Sequence, residues 1–325
     1  MNPRHGSLFF LVLVLVQVLA ARPALAWNHT GHMAVAKLAY RRLARKERAE
    51  VDALLRAHPH YQRYLAADRP AEISEQEWVF LRAATWPDWV RGSRQHHEHD
   101  LHQYHHASWH YINKPYVGRD AGEFNARSLE PKAPNAVTVL GESSQIVAGR
   151  GGADEKAIRL CWIIHLVGDL HQPLHCATLI SRHYPPPHGD DGGNRLAIRP
   201  HKHPERLHTY WDRLLGTSTH AKAIDRLVER IEASAARDAE LAEQMRVHTT
   251  FDSWADEGLQ AAIEHAYLNG RLPLVDYQEV ERGEIPASEA PVLPAGYGAD
   301  ARAFARRQAA LAGRRLAALL SELLR

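Results

Sequence analysis

The sequence predicts a mainly α-helical, single-domain protein that follows an N-terminal leader. Apolar residues recur at helical spacing in seven segments, whereas the alternation typical of strands is scarce. Breaks rich in glycine and proline, such as residues 149–152 and 185–193, separate those segments. No internal repeat or long low-complexity linker divides the chain, so we assign residues 27–325 to one domain.

The first 26 residues have the pattern of a secretory signal peptide. Arg4 and His5 precede an apolar run over residues 8–20, and residues 24–26 form a small-x-small cleavage site. The apolar run is short for a bilayer span. We therefore predict cleavage between Ala26 and Trp27 and a secreted or periplasmic mature chain, with an uncleaved anchor as the alternative.

Seven later segments carry the helical pattern, at Gly31 to Leu55, Glu75 to Val90, Ala136 to Val147, Glu155 to Leu170, Ala221 to Arg246, Ser253 to Leu268 and Ala299 to Leu324. One region has a strand-like pattern instead. The stretches "ATLIS" and "NRLAIR" flank the turn at residues 185–193, which predicts a short β-hairpin near residues 176–199.

Charge and cysteine content narrow the classes of protein. Removing Arg4 and Arg22 with the leader leaves 38 basic against 38 acidic residues. This neutral balance argues against a polycationic duplex-DNA binder, so any attraction for phosphate must be local. The two cysteines, Cys161 and Cys176, lie too far apart on one straight helix for a disulfide, so we expect buried free thiols unless Pro173 bends the chain.

Histidine is the residue type in excess, with 23 in the chain. In "HLVGDLHQPLH", His165 and Asp169 are four residues apart on a predicted helix, so both side chains can hold one cation, and the ligand types suit zinc. His175 lies round the helix from that pair and can join it only if Pro173 bends the chain, or else serve a second metal. In "LHTYWD", His208 and Asp212 repeat the four-residue spacing.

An aspartate in "TWPDWVR" also needs a partner. Asp88 stands among tryptophans, and a lone carboxylate is costly to bury. A metal ion is one partner, and Arg91, one helical turn further on, is the other.

Six motifs, "WNHTGH", "TWPD", "WHYIN", "HLVGDLHQPLH", "DGGN" and "LHTYWD", occur in one order along the chain. Together they resemble the secreted single-strand-specific nucleases with three zinc ions, the S1/P1 type, whose helical fold is shared with the zinc-dependent phospholipases C. The resemblance covers essentially the whole mature chain. It implies three Zn²⁺ ions: one held by Asp88, His110, His165 and Asp169; one by Asp169, His32 and the amino and carbonyl groups of Trp27; and one by His175, His208 and Asp212.

The resemblance also implies how the reaction runs. A hydroxide bridging two zinc ions would attack phosphorus, with Asp88 and Arg91 as the catalytic residues and Arg91 stabilising the phosphoryl oxygens. Tyr111 and Asn113 correspond to a base pocket, and Asn194 to a residue near the ligands or the phosphate. Asn113 stands where fungal relatives carry an acid, so base preference does not carry over.

The sequence thus predicts an exported, monomeric zinc phosphodiesterase with no stable protein partner. Its substrates would be single-stranded DNA, single-stranded RNA and 3′-nucleotides, and its products 5′-nucleotides and, from 3′-nucleotides, phosphate. A zinc-dependent phospholipase C is the nearest alternative, disfavoured by the 33-residue spacing from His175 to His208 and by the final aspartate ligand. A non-catalytic zinc-binding protein, built around the histidine-rich residues 96–106, is the alternative of a different class.

Overall fold

The computed structural model describes residues 27–92, 99–122, 129–236 and 238–325, so the predicted signal peptide lies outside the described chain. Within these ranges the fold is mainly α-helical, which confirms the predicted class. The helices are α1 (His29–Arg42), α2 (Arg45–Arg56), α3 (Glu75–Ala83), α4 (Trp86–Gly92), α5 (Ala136–Ala148), α6 (Ala153–Asp169), α7 (Pro173–Cys176), α8 (Leu207–Asp212), α9 (Ala221–Ala235), α10 (Glu240–Val247), α11 (Phe251–Ala261), α12 (Tyr277–Glu281) and α13 (Tyr297–Leu323).

Helix α6 is the centre of the core. Every residue from Leu160 to Asp169 is buried, which is the pattern of a helix surrounded by protein on all sides. Helices α1, α2, α5 and α13 pack against it. Helices α1 and α13 also approach each other closely, because a Cβ at Gly313 would lie only 2.5 Å from Leu38 Cβ. The polar residues of α6, His165 and Asp169, are therefore carried into the interior.

One predicted helix is two helices with a sharp turn between them. The pattern from residue 31 to 55 splits into α1 and α2, because Leu43 takes an extended backbone with ψ of 138°. The Glu47 carboxylate then accepts a hydrogen bond from the Ala44 amide at 2.6 Å, which begins α2. Two other predicted helices also divide, residues 75–90 into α3 and α4 and residues 221–246 into α9 and α10.

The predicted β-hairpin near residues 176–199 is wrong. Strand β2 (Ala177–Ile180) pairs in parallel with β1 (Lys114–Val117), and β3 (Ala197–Ile198) pairs antiparallel with β4 (Glu205–Arg206). The second edge of β2 is occupied by its own connecting loop: the Asp190 amide donates to Leu179 O at 3.0 Å, and the Asp190 carboxylate accepts from Leu179 N at 2.8 Å. No edge of β2 is left for β3.

Two smaller predictions can be compared with this fold. Cys161 and Cys176 are buried free thiols, as expected. In the described ranges, no helix combines the length and apolar content needed to cross a membrane.

Candidate metal centre and substrate cavity

Eight histidine and aspartate side chains meet in the interior, and none is more than 5% exposed. They come from α1, α4, α6, α7, α8 and the 3₁₀ turn at Ala107–His110. Their ligand atoms form three groups, within each of which all atoms lie within 4.8 Å of one another: His32, Asp88 and His165; His110, His165 and Asp169; and His175, His208 and Asp212. The fold thus brings together all eight histidine and aspartate side chains that the sequence analysis names as metal ligands.

Helix α6 supplies the central pair. The Nε2 atom of His165 lies 3.2 Å from an oxygen of Asp169 one turn later. Helix α1 brings His32 against this pair, with its ring stacked 3.9 Å from that of His165 and its Nε2 3.3 Å from Asp169. Gly168 makes room for this approach, since a Cβ there would lie 2.7 Å from His32 Nδ1.

His110 and Asp88 complete this part of the site. His110 Nδ1 lies 2.9 Å from His165 Nε2 and 3.3 Å from Asp169 Oδ2. Asp88 lies further out, with an oxygen 3.9 Å from His165 and 4.0 Å from His110. It makes no ion pair with Arg91, so the salt bridge considered from sequence is absent between these two described residues.

The two carboxylates have no hydrogen-bond donor to balance them. Both oxygens of Asp88 and of Asp169 are buried and accept no hydrogen bond, and both ring nitrogens of His32 are also without a partner. Burying a carboxylate is costly unless a cation or a donor compensates for it. Imidazole nitrogens and carboxylate oxygens in this combination fit zinc.

Backbone carbonyls fix the orientation of three of the imidazoles. The Nδ1 atom of His165 lies 2.8 Å from Ala84 O, that of His175 2.6 Å from His110 O, and that of His208 2.6 Å from Gly192 O. A carbonyl can only accept, so each Nδ1 carries a proton, and in the neutral ring the lone pair is on Nε2. This is the tautomer and the support that metal-binding histidines usually have.

The third group lies where the chain bends after α6. Helix α6 ends at Asp169, and Pro173 begins the short helix α7, which places His175 beside His208 with 4.9 Å between ring centroids. Asp212 stands 3.6 Å from His208 Nε2 and accepts a hydrogen bond from Gln172 at 2.7 Å. Sequence reasoning did not identify Gln172 as a support for this group.

Burial keeps several of these imidazoles neutral. It lowers the pKa of His32 and of His110 to about 4, and that of His208 to about 3. At pH 7 these rings are therefore in the uncharged form that binds metals.

The remaining ligands differ in their protonation. Burial alone would lower the pKa of His165, but attraction by Asp169 and Asp88 outweighs it and raises that pKa to about 9. Burial would raise the pKa of Asp169, but attraction by His165 and His175 holds it well below the usual range. Burial does raise the pKa of Asp212 well above the usual value. A cation displaces the protons on His165 and Asp212, so metal uptake is coupled to proton release.

The loop that holds His208 rests on a buried acid. Asp190, which is 0% exposed, accepts hydrogen bonds from Leu179 N at 2.8 Å and from Tyr267 OH at 3.1 Å. Burial raises its pKa to about 6. Two residues on, Gly192 adopts a φ of 62°, and its carbonyl is the one that His208 contacts.

Asp190 should make the protein less stable as the pH rises. Its folded-state pKa of about 6 exceeds the ordinary value of 3.8, so its contribution is complete below about pH 4 and is lost as the pH passes through 6. The change is roughly 3 kcal/mol, at about 1.4 kcal/mol per pKa unit. We expect the free energy of unfolding of Asp190→Asn, relative to wild type, to rise between pH 4 and pH 7. Urea unfolding with chelator present measures this, with Asp256→Asn as the control, and parallel pH curves would contradict it.

Trp27 sits at the start of α1, beside the third group. Its side chain is fully buried, and a Cβ at Gly31 would lie 2.8 Å from Trp27 Cβ. The next amide, of Asn28, donates to Asp212 O at 3.1 Å, and the Asn28 side chain caps α1 by accepting from Gly31 N. The first residue of the predicted mature chain is therefore anchored next to a candidate ligand. Metal binding by its amino group stays a prediction.

A cavity of about 280 Å³ opens onto the candidate ligands His110, His175 and His208. Arg91 lines this cavity, and its side chain makes no hydrogen bond or ion pair with the described residues, so its guanidinium remains available. Residues that the sequence had not singled out also line it, namely Asp191, Arg195, Arg206 and Gln278. Arg206 directly precedes the "LHTYWD" motif, which was the signal that could have pointed to it.

A second cavity, also of about 280 Å³, shares Tyr111, Asn113 and Asp191 with the first. Asn113 adopts a φ of 51°, in the left-handed region that asparagine tolerates. Asn194 lies in the first cavity, where its amide donates to Asp191 O at 2.9 Å and its buried Oδ1 has no hydrogen-bond partner. An aromatic ring beside an amide gives this region a flat stacking face and a polar edge.

Comparisons with known proteins identify the family of this chain. Endonuclease 4 of Arabidopsis thaliana is 23% identical over 313 residues, which is 85% of this chain and 91% of that protein. Endonuclease 2 of the same plant is 24% identical over 321 residues, which is 88% of this chain and 96% of that protein. The sequence profile described as S1/P1 Nuclease matches residues 27–325. The chain therefore belongs to the S1/P1 nuclease family and is a hydrolase of nucleic acids.

Proposed function

We propose that this protein is an exported, zinc-dependent phosphodiesterase that hydrolyses single-stranded RNA and DNA to 5′-nucleotides and also acts as a 3′-nucleotidase. The observation that carries the proposal is the set of three buried histidine and aspartate groups, in which Asp88 and Asp169 accept no hydrogen bond, beside a cavity with an available guanidinium. Although the mature chain is neutral overall, this site would attract phosphate, because the charge of the bound metal ions would exceed the charge of their ligands.

The proposed ligands follow the three groups. Asp88, His110, His165 and Asp169 would hold one zinc ion; Asp169, His32 and the amino and carbonyl groups of Trp27 a second; and His175, His208 and Asp212 a third. When bound, the ions supply Lewis acidity towards phosphoryl oxygens and lower the pKa of bound water. Backbone carbonyls hold the Nδ1 atoms of His165, His175 and His208, so Nε2 of each ring would be the atom that binds an ion.

The remaining site residues bind and orient the substrate. The guanidinium of Arg91 can donate two parallel hydrogen bonds to phosphoryl oxygens and stabilise the charge that develops on them. Tyr111 offers a ring on which a base stacks, and Asn113 offers the polar edge. Asn194 supports the neighbouring loop through Asp191. A base must leave its stack to reach such a pocket, which favours single strands.

Two other functions are less well supported. A phospholipase C on the same fold would not need the stacking ring of Tyr111 and the polar edge of Asn113 beside the ligands. A non-catalytic zinc-binding protein would use the histidine-rich residues 96–106, of which residues 96–98 lie outside the described chain. His106 in that run stacks on Trp109, with 3.7 Å between ring centroids, and belongs to none of the three ligand groups.

One substrate panel tests the proposal. Mature protein beginning at Trp27 is assayed on single-stranded DNA, single-stranded RNA, 3′-AMP and phosphatidylcholine, before and after chelation and after zinc is restored. We expect hydrolysis of the first three, products that keep a 5′-phosphate from the polymers, loss of activity with chelator and recovery with zinc. Zinc binding without hydrolysis would favour the storage protein, and preferred hydrolysis of phosphatidylcholine would favour the phospholipase.

A variant separates base binding from phosphoryl chemistry. Tyr111→Ala should lower kcat/KM on single-stranded DNA by about tenfold, the size of one lost stacking contact. It should change the rate on bis(p-nitrophenyl) phosphate, which has no base, by less than about twofold. Equal losses on both substrates would contradict the stacking role of Tyr111.

A further inference from the structure

An arginine outside the predicted site lines the cavity over the candidate ligands. Arg206 ends strand β4, opposite Ala197 of β3, and immediately precedes the helix that carries His208 and Asp212. Its side chain is 17% exposed, so most of it is held against protein. Its guanidinium carbon lies 4.8 Å from the centroid of the Tyr277 ring, a contact that supports the charged head while leaving its edge open.

The arginines of this cavity differ in how far they are already paired. Arg195 donates to Asp276 through Nε at 3.2 Å and Nη2 at 2.8 Å, and its Nη1 donates to Gly189 O at 3.4 Å. Arg206 has only a distant acid, with Nη2 3.9 Å from Glu281, which is too long for a hydrogen bond. Within the described part of the cavity wall, Arg91 and Arg206 are thus the arginines whose guanidinium groups make no hydrogen bond.

The charges near these two arginines favour an anion. The one carboxylate in the described cavity lining is that of Asp191. Burial raises its pKa, and the nearby charges of His188, Arg195, Arg91 and Arg206 act in the opposite direction. The positive charges in the lining therefore exceed the negative ones. Bidentate guanidinium groups suit phosphate oxygens, and a single strand presents phosphates at regular intervals.

We propose that Arg206 binds a second phosphate of the strand, next to the one that is cleaved, so that the enzyme favours substrates with at least two phosphates. This inference rests on the proposed function, in which Arg91 contacts the phosphate that is cleaved. A preference of this kind would make oligonucleotides better substrates than dinucleoside monophosphates of the same base. Arg206 acts here as a substrate-binding residue and takes no part in bond cleavage.

The test compares three thymidine dinucleotides with zinc-loaded protein: TpT, pTpT with an extra 5′-phosphate, and TpTp with an extra 3′-phosphate. The rate followed is that of the internal phosphodiester bond, and release of the terminal 3′-phosphate of TpTp by the proposed 3′-nucleotidase activity is measured separately. We expect wild type to cleave the internal bond of pTpT or of TpTp faster than that of TpT, and the preferred substrate identifies the side of the cleaved bond on which Arg206 lies. Arg206→Gln should lower kcat/KM on that substrate by about tenfold, mainly through KM, and on TpT by no more than about twofold. Arg206→Lys keeps the positive charge but cannot donate two parallel hydrogen bonds, so kcat/KM on the preferred substrate should fall by about threefold.

Arg213→Gln is the matched control. Arg213 lies just past α8 and pairs with Glu205, and it is not among the residues that line the cavity. The Arg213→Gln substitution removes one positive charge from the same segment. It should leave the wild-type preference for a dinucleotide with a second phosphate unchanged. The salt dependence of KM for the preferred dinucleotide should also become shallower in Arg206→Gln but not in Arg213→Gln.

Two results would overturn the inference. If Arg206→Gln lowers kcat/KM equally on all three dinucleotides, the residue supports the fold through Tyr277 and does not read a second phosphate. If it lowers none of them, it has no role in binding. Should wild type hydrolyse nothing, the proposed function fails on its own, and the second phosphate is then tested by the binding of pTpT, TpTp and TpT to wild type and Arg206→Gln, followed by tryptophan fluorescence.

Discussion

Asp169→Asn should abolish hydrolysis of single-stranded DNA, with a loss of roughly a thousandfold or more in kcat. The Asp169 carboxylate is the group around which the candidate centre is arranged: the nitrogens of His32, His110 and His165 lie 3.3, 3.3 and 3.2 Å from its oxygens. An amide has nearly the same shape but carries no charge and offers only one acceptor oxygen. It cannot serve two cations at once.

The loss should come from the metals and not from unfolding. We expect the zinc content of Asp169→Asn, measured by atomic emission, to fall by at least one ion per chain while the far-ultraviolet circular dichroism stays that of wild type. In the metal-free protein this carboxylate also balances the charge of His165, 3.2 Å away, so the free energy of unfolding of both proteins is measured with chelator to separate that cost from the loss of zinc.

Asp256→Asn is the control for Asp169→Asn. Asp256 is an exposed carboxylate on α11 that pairs with Lys114, away from the three ligand groups. Its variant should keep both zinc and activity. Full zinc content and wild-type activity in Asp169→Asn would show that this carboxylate is not a shared ligand.

The parts of the site that lie on one helix were predictable from sequence because helical spacing places them together. His165 and Asp169, and likewise His208 and Asp212, are four residues apart, so their proximity follows from local geometry alone. The sequence left open whether Pro173 bends the chain. In the structure, α7 begins at Pro173, and His175 lies beside His208. The resemblance of the motifs indicated that His32, Asp88 and His110 would join them.

The contacts that depend on tertiary folding were not predictable. The carbonyls that hold the Nδ1 atoms belong to Ala84, His110 and Gly192, which are 81, 65 and 16 residues from the histidines they support. The parallel pairing of β1 with β2 joins segments about 60 residues apart, and nothing in either short segment identifies its partner. Arg206 was not predicted for the same reason, since the position of its side chain depends on the contact with Tyr277 of α12.

One residue added before Trp27 should reduce activity by roughly a hundredfold or more and lower the zinc content by about one ion per chain. In the proposed site the α-amino group of Trp27 is a ligand, and with a pKa near 8 it gives up its proton readily to a cation. When Ala26 is retained, the same nitrogen becomes an amide, whose lone pair is delocalised and does not bind zinc. The helical fold should persist, because the Trp27 side chain remains buried against Gly31 and the Asn28 amide still donates to Asp212 O.

The comparison needs two samples of one protein, cut from a removable tag so that one begins at Trp27 and the other at Ala26. Zinc content, kcat on single-stranded DNA and thermal unfolding are measured on both, and a residue added after Arg325 serves as the control for an extra terminal residue. Equal activity and zinc content in the two samples would exclude the amino group as a ligand. The expected difference would mean that the precursor cannot complete its metal centre, so that signal-peptide removal and activation are one event and the nuclease stays inactive until it has left the cytoplasm.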